Sequence, residues 1–197
     1  MNEKIFFDKV RATLFHALSA NQVAGMKSIL DAWDKLDPKS DHRFKAYALA
    51  TAYHETAQTM QPIEEYGHGR GRAYGAPAGR WHLVYDGRGD VQLTWLANYQ
   101  KATDKLHAAK LLDPALDLVK DPSLALRPDV AAAVMVLGMR DGWFTGKRLG
   151  EFFTASESYP VQARRIINGL DCAAKIAGYF TSFDAALRAA EVTPAVV

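Results

Sequence analysis

The chain has one cysteine, Cys172, among 197 residues. That excludes an internal disulfide framework and any cluster of cysteine thiolates around a metal. A lone cysteine is ordinarily a small buried apolar residue, and Cys172 is expected to be one. Charge of one sign is also lacking, since the formal net charge is +2. So small an excess does not mark a nucleic-acid binder, although it suits an anionic polymer. Long apolar runs are missing as well. No stretch reaches the roughly 18 residues of a membrane span, so no membrane insertion is expected. MNEKIFFDKV carries no apolar run of signal-peptide length. The expectation is a chain made in the cytoplasm without a signal peptide. There is no internal repeat or linker, and one domain over 1–197 with one core is expected.

Helical periodicity fills most of the chain. Ile5, Phe6, Val10, Leu14 and Leu18 share one face over 3–18, and Val23, Met26, Ile29, Leu30 and Trp33 repeat the pattern after Ser19. A third helix over 41–55, capped by Asp41 or Ser40, buries Phe44, Ala48, Leu49 and Ala52 and ends on His54-Glu55. Helical spacing resumes from Trp95 to Leu106. Pro128 suits the first turn of an apolar helix over 129–139. A short helix is expected over 148–153, and Asp171 can cap a last helix carrying Ile176, Tyr179, Phe180, Phe183 and Leu187, with fraying after Glu191.

Between Gly67 and Gly89 the pattern breaks. Seven of the 14 glycines fall in these 23 residues, interleaved with Arg70, Arg72, Arg80 and Arg88 and with Tyr74, Trp81 and Tyr85. Long irregular segments in compact domains are usually functional. A hairpin joining 81–84 to 91–94 is expected here. The loop is no phosphate cradle, because position 72 is Arg72 where the third glycine of Gly-x-Gly-x-x-Gly would stand. Nor is there a His-Glu-x-x-His metal motif, since Gln58 follows His54 by one turn. His68 and His82 have no metal-ligand spacing, and neither metal nor cofactor is expected.

Glu55 lies ten positions before Glu65, with Glu64 beside it. A helix C-terminus disfavours a carboxylate, and partial burial does so further, which is the environment of a general acid at neutral pH. A second carboxylate after a short turn could serve as its partner. Surface acids produce the same spacing, so the spacing alone does not select between the two.

Three segments in order resemble glycoside hydrolase family 19, which includes chitinases and phage or bacterial wall-degrading endolysins. They are His54-Glu55-Thr56, then Tyr85-x-Gly87-Arg88-Gly89-x-Val91-Gln92-Leu93-Thr94-Trp95-x-x-Asn98-Tyr99, then Ile166-Ile167-Asn168-Gly169. The resemblance implies a mainly α, lysozyme-like two-lobed domain with at most a small β-hairpin near the cleft. It also implies an inverting, metal-free mechanism on a polysaccharide, peptidoglycan or chitin, by a monomer. Glu55 matches the general acid, Glu65 or the adjacent Glu64 the general base, and Thr94 the hydroxyl that holds the attacking water. His54, Tyr85, Arg88, Gln92, Trp95, Asn98, Tyr99 and Asn168 match substrate-groove positions, and Arg165 a partner for a catalytic carboxylate. An endolysin released to the wall by holin or lysis, a chitinase, and an inactive carbohydrate-binding protein are the three functions this leaves open.

Overall fold

The computed structural model describes residues 1–192. The fraying expected after Glu191 lies largely outside the described residues. Six α-helices carry the architecture: α1 (Glu3–Val10), α2 (Ala20–Leu36), α3 (His42–Glu55), α4 (Leu96–Ala108), α5 (Pro128–Asp141) and α6 (Ala173–Val192). The apolar run expected over 3–18 divides, because the chain passes into a π-type turn at Arg11–Phe15 and then reverses at His16.

Local chemistry explains the helix starts. Ser19 forms a capping box with Gln22, each side chain bonding the other's backbone N–H, and Asp41 accepts from the Arg43 N–H to start α3. Pro128 occupies the first turn of α5, where its missing N–H costs nothing, and Gly142 closes that helix in the left-handed region at φ 76°. Ten consecutive residues of α5, Val130 to Met139, are buried. Helices α3 and α1 pack on α6, while α5 packs on α2. Trp33, Tyr47, Phe6 and Phe183 are fully buried between them. Each such side chain contributes on the order of 1.5–3 kcal/mol by leaving water.

The β-structure is small and differs from the expected hairpin. Strand β1 (Ile63–Glu64) pairs antiparallel with β2 (Arg88–Gly89), Ile63 opposite Gly89 and Glu64 opposite Arg88. Residues 81–84 do not pair with 91–94. Leu83 instead bridges Ala78, and Leu93 bridges Arg88. Two-residue strands show no alternation, so glycine-rich sequence could not signal which pair would form.

Two further details depart from expectation. Cys172 is exposed, because it occupies a turn at φ 55° immediately before α6. The expected short helix over 148–153 is a single 3₁₀ turn, Leu149–Glu151. Among the described residues no helix is long and apolar enough to cross a membrane.

Candidate active site

Glu55 is the last residue of α3, and the chain turns sharply after it. Thr56, fully buried, donates to the Ala52 carbonyl at 2.7 Å and accepts from the Met60 N–H at 3.0 Å. Ala57, Gln58 and Met60 all have positive φ, an unusual run for residues with a Cβ. The turn is anchored from the other side by α2. A Cβ on Gly25 would lie 1.6 Å from the Met60 carbonyl oxygen, so only glycine lets α2 come this close. From this turn the chain enters β1 and delivers Glu64 and Glu65.

The carboxylate of Glu55 is gripped by Arg164, whose Nη1 donates to Oε1 at 2.5 Å. Arg164 is 4% exposed, and its Nε also donates to the Asp171 carbonyl at 3.1 Å. Glu55 is therefore set against a buried cation, where its position in sequence pointed only to a helix end and partial burial. The expected partner was Arg165. That side chain is exposed, because in the 3₁₀ turn Gln162–Ile166 neighbouring residues point in different directions and Arg164 is the inward one. His54 is half-buried, and burial, assisted by Arg164 and Lys175, lowers its pKa below the usual histidine value. It is a neutral side chain at pH 7.

Glu64 and Glu65 engage separate partners, as adjacent residues on an extended segment do. Glu65 Oε1 accepts from the Gly69 N–H at 2.6 Å, and Oε2 accepts from the Tyr74 hydroxyl at 3.1 Å and the Gly87 N–H at 3.2 Å. The bond to Gly87 explains one glycine of the motif. A Cβ there would lie 2.7 Å from Gln92 Oε1 and 2.9 Å from Glu65 Oε2. Burial and the bond to Glu65 together raise the pKa of Tyr74.

Glu64 belongs to an ion cluster. Arg88 Nε and Nη2 approach Glu64 Oε1 at 2.8 and 2.5 Å, and Nη2 lies 2.6 Å from Asp86 Oδ1. Asp86 is fully buried, and neither of its oxygens has an aligned hydrogen bond. Burial first, then Glu64 and Glu65, raise its pKa against the pull of Arg88. His68 Nδ1 stands 3.4 Å from Glu64 Oε1 and 3.6 Å from Asp86 Oδ2. One ligand atom from each of Glu64, His68 and Asp86 falls within 4.8 Å of the others. The spacing of His68 in sequence concealed this grouping, since its partners are four residues before and eighteen after. These are the side chains that could hold a metal, but Arg88 already supplies a cation to both carboxylates.

The remaining motif residues divide by burial. Tyr85 and Tyr99 are fully buried and so do not line a groove. The Tyr85 hydroxyl donates to the Val119 carbonyl at 2.8 Å. That of Tyr99 donates to the Asp86 carbonyl at 2.8 Å and accepts from Arg88 at 3.2 Å. Their aromatic rings satisfied a motif match while serving the core beneath it. Arg88 is likewise committed to internal partners. Gln92 is half-buried at φ 53°, and its amide donates to the carbonyls of Ile63 and Gly89, tying the loop to β1.

Asn98 donates to the Thr94 carbonyl at 2.9 Å. The Thr94 hydroxyl, half-buried, has no hydrogen bond among the described residues. Trp95 is 49% exposed. Asn168 is exposed and accepts from the Gly169 N–H. Residues the motif did not single out include Asp86, Tyr74 and Arg164. The Arg-Arg pair at 164–165 was the signal for the last of these.

No family profile and no curated protein matches the chain. Solved structures do resemble it. A class IV family GH19 chitinase from Zea mays superposes with a TM-score of 0.59 at 17% identity, covering 96% of this chain and 92% of that one. A point mutant of chitinase C gives 0.54 at 20% identity over 97% and 92%. A bacterial family 19 chitinase gives 0.50 at 20% identity over 99% and 97%. Over nearly its whole length, the chain has the mainly α, lysozyme-like fold of family 19 chitinases.

Proposed function

We propose that the protein is a family 19-type glycoside hydrolase that cleaves β-1,4 bonds of bacterial peptidoglycan by an inverting acid/base mechanism. The observation that carries this reading is a pair of carboxylates, each fixed by its own set of partners. Glu55 is fixed at the end of α3 by Arg164, and Glu65 is fixed in the glycine-arginine loop by two backbone amides and Tyr74. In this mechanism Glu55 protonates the glycosidic oxygen. Glu65 takes a proton from a water that also bonds the unengaged Thr94 hydroxyl, and that water attacks the anomeric carbon from the other face. Glu64, committed to Arg88, positions the loop.

Charge favours peptidoglycan. Arg70, Arg72 and Arg80 are exposed on the loop that holds Glu65, and none has an ion-pair partner among the described residues. Peptidoglycan carries carboxylates on its stem peptides and chitin carries none, so these cations complement the first polymer. Release to the wall through a holin or lysis belongs to the same proposal. The chitinase reading is favoured by a different observation, the chitinase identity of the solved neighbours.

The test incubates wild type, Glu55→Gln and Glu65→Gln with purified sacculi and with colloidal chitin, reading new reducing ends by mass spectrometry. Each variant should keep its helical circular dichroism and lose roughly 10²–10⁴-fold in turnover. Wild-type-like clearing of chloroform-treated bacterial cells by Glu55→Gln would refute the assignment. Faster cleavage of chitin than of sacculi would select the chitinase reading.

A further inference from the structure

The histidine of the glycine-arginine loop has neighbours that the acid/base chemistry does not use. Gly67, His68 and Gly69 lie in succession at φ 94°, 51° and 68°, a left-handed run that histidine tolerates better than most residues with a Cβ. The His68 N–H donates to the Glu65 carbonyl at 3.2 Å and the Gly69 N–H to Glu65 Oε1, so the chain doubles back. The reversal returns the imidazole to β1 and to the segment before β2. Its Nδ1 stands 3.4 Å from Glu64 Oε1 and 3.6 Å from Asp86 Oδ2.

Arg88 does not complete this group. The carboxylates of Glu64, Glu65 and Asp86 act on one another across it, while the single guanidinium of Arg88 reaches Glu64 Oε1 and Asp86 Oδ1. Asp86 Oδ2 has no hydrogen-bond donor among the described residues, although Asp86 is fully buried. A buried carboxylate oxygen is costly without a donor or a cation, and this one faces the His68 nitrogen.

We infer that Glu64, His68 and Asp86 form a binding site for a divalent transition-metal ion of the zinc class. With bonds of about 2.0–2.2 Å to nitrogen and carboxylate oxygen, neighbouring ligand atoms of a tetrahedral ion lie about 3.3–3.6 Å apart. The two distances from His68 match that edge length. The third, between Glu64 and Asp86, is within 4.8 Å, and the half-buried Glu64 side chain swings to close it. A carboxylate has about four acceptor sites on its two oxygens, so both acids keep Arg88 while binding the metal. Arg88 then orients the ligands from behind. One imidazole nitrogen with two carboxylates suits zinc better than magnesium, which takes oxygen ligands and dehydrates reluctantly. The exposure of His68 leaves the fourth position to water. The ion ties the loop to β1 and to the segment before β2. It takes no part in the proton transfers, so the inference goes beyond the hydrolase reading and does not depend on it.

The test is a Zn²⁺ titration of the untagged chain in a Cys172→Ser background, which removes the exposed thiol as a competing ligand. Calorimetry and the melting temperature are read for that parent and for His68→Asn, His82→Asn and Asp86→Asn. Asparagine accepts the left-handed backbone found at positions 68 and 82. The parent should bind a single Zn²⁺ and melt higher with it, and EDTA should reverse the rise. His68→Asn and Asp86→Asn should each weaken Zn²⁺ binding by roughly 100-fold or more, since even a supporting partner of a metal ligand is worth about 10–100-fold. His82→Asn should bind as the parent does, and Mg²⁺ should leave the melting temperature unchanged. No Zn²⁺-dependent change in the parent, unaltered binding in His68→Asn, or an equal response to Mg²⁺ would each overturn the site. If Asp86→Asn loses its helical circular dichroism, His68→Asn, altered at an exposed position, decides alone.

Discussion

Glu55 and Arg164 form a pair joining the end of α3 to the segment before α6, both side chains largely withdrawn from water at 14% and 5% exposure. Removing one partner of such a pair leaves a buried charge uncompensated. Arg164→Ala should therefore cost about 3 kcal/mol of stability and most of the activity. Arg165→Ala, one position on and exposed, should stay within about 0.5 kcal/mol of wild type. Urea unfolding of both variants checks this, and equal losses would place the supporting cation wrongly. The pair also shows the limit of motif reading. Spacing brought a guanidinium to Glu55 within one residue, but a 3₁₀ turn rotates successive side chains by about a third of a circle, which linear spacing does not resolve. Glu64 and Glu65 carry the same ambiguity in sequence, and the structure gives each its own set of partners. Tyr85 and Tyr99 show the converse, since a matched residue type does not say whether a ring faces ligand or core.

The helices were legible because periodicity, caps and breakers agree. Ser19, Asp41, Pro128 and Gly142 stand where helix ends require them. Features set by close approach were not legible. Gly25 lies mid-helix, where Gly→Ala ordinarily gains about 1 kcal/mol. Its contact with Met60 reverses that sign, and Gly25→Ala should lose about 3 kcal/mol and lower turnover by displacing the turn that carries Glu64 and Glu65. A melting temperature at or above wild type would contradict the contact.

The loop after β2 contains another such residue. Asp90 is 2% exposed, its Oδ1 has no hydrogen-bond partner among the described residues, and burial raises its pKa to about 7. The folded state therefore keeps a proton that the unfolded chain releases near its ordinary value of 3.8. Stability falls as pH rises from about 4 to about 7, by at most about 4 kcal/mol, and the loss is absent below pH 4. Asp90→Asn lacks this titration, so its denaturation midpoint should gain on wild type from pH 4.5 to pH 8. Parallel pH dependences would show that Asp90 does not bury a charge.

At the scale of the molecule, the two proposed catalytic carboxylates belong to different packing units. Glu55 ends α3, which packs on α6, while Glu65 sits in the loop whose β2 strand packs on α5. This division separates the two carboxylates by what each element packs on and not by chain spacing. It makes the gap between the carboxylates a consequence of helix packing, outside the reach of sequence spacing. An inverting glycosidase needs roughly 6.5–9.5 Å between its carboxyl groups so that a water fits, whereas a retaining one needs about 5–5.5 Å for direct attack. Three hydrogen bonds, two of them from backbone amides, fix the Glu65 carboxylate in its loop and leave Oε1 one free lone pair with which to accept a proton. Proton abstraction from a water leaves all three in place. The first-formed product should therefore carry the α configuration at its new reducing end. Proton NMR of the anomeric signals during the first minutes of hydrolysis, before mutarotation mixes them, reads this directly. An initial β-anomer would mean that Glu65 moves to bond the sugar and that the water-mediated mechanism is wrong.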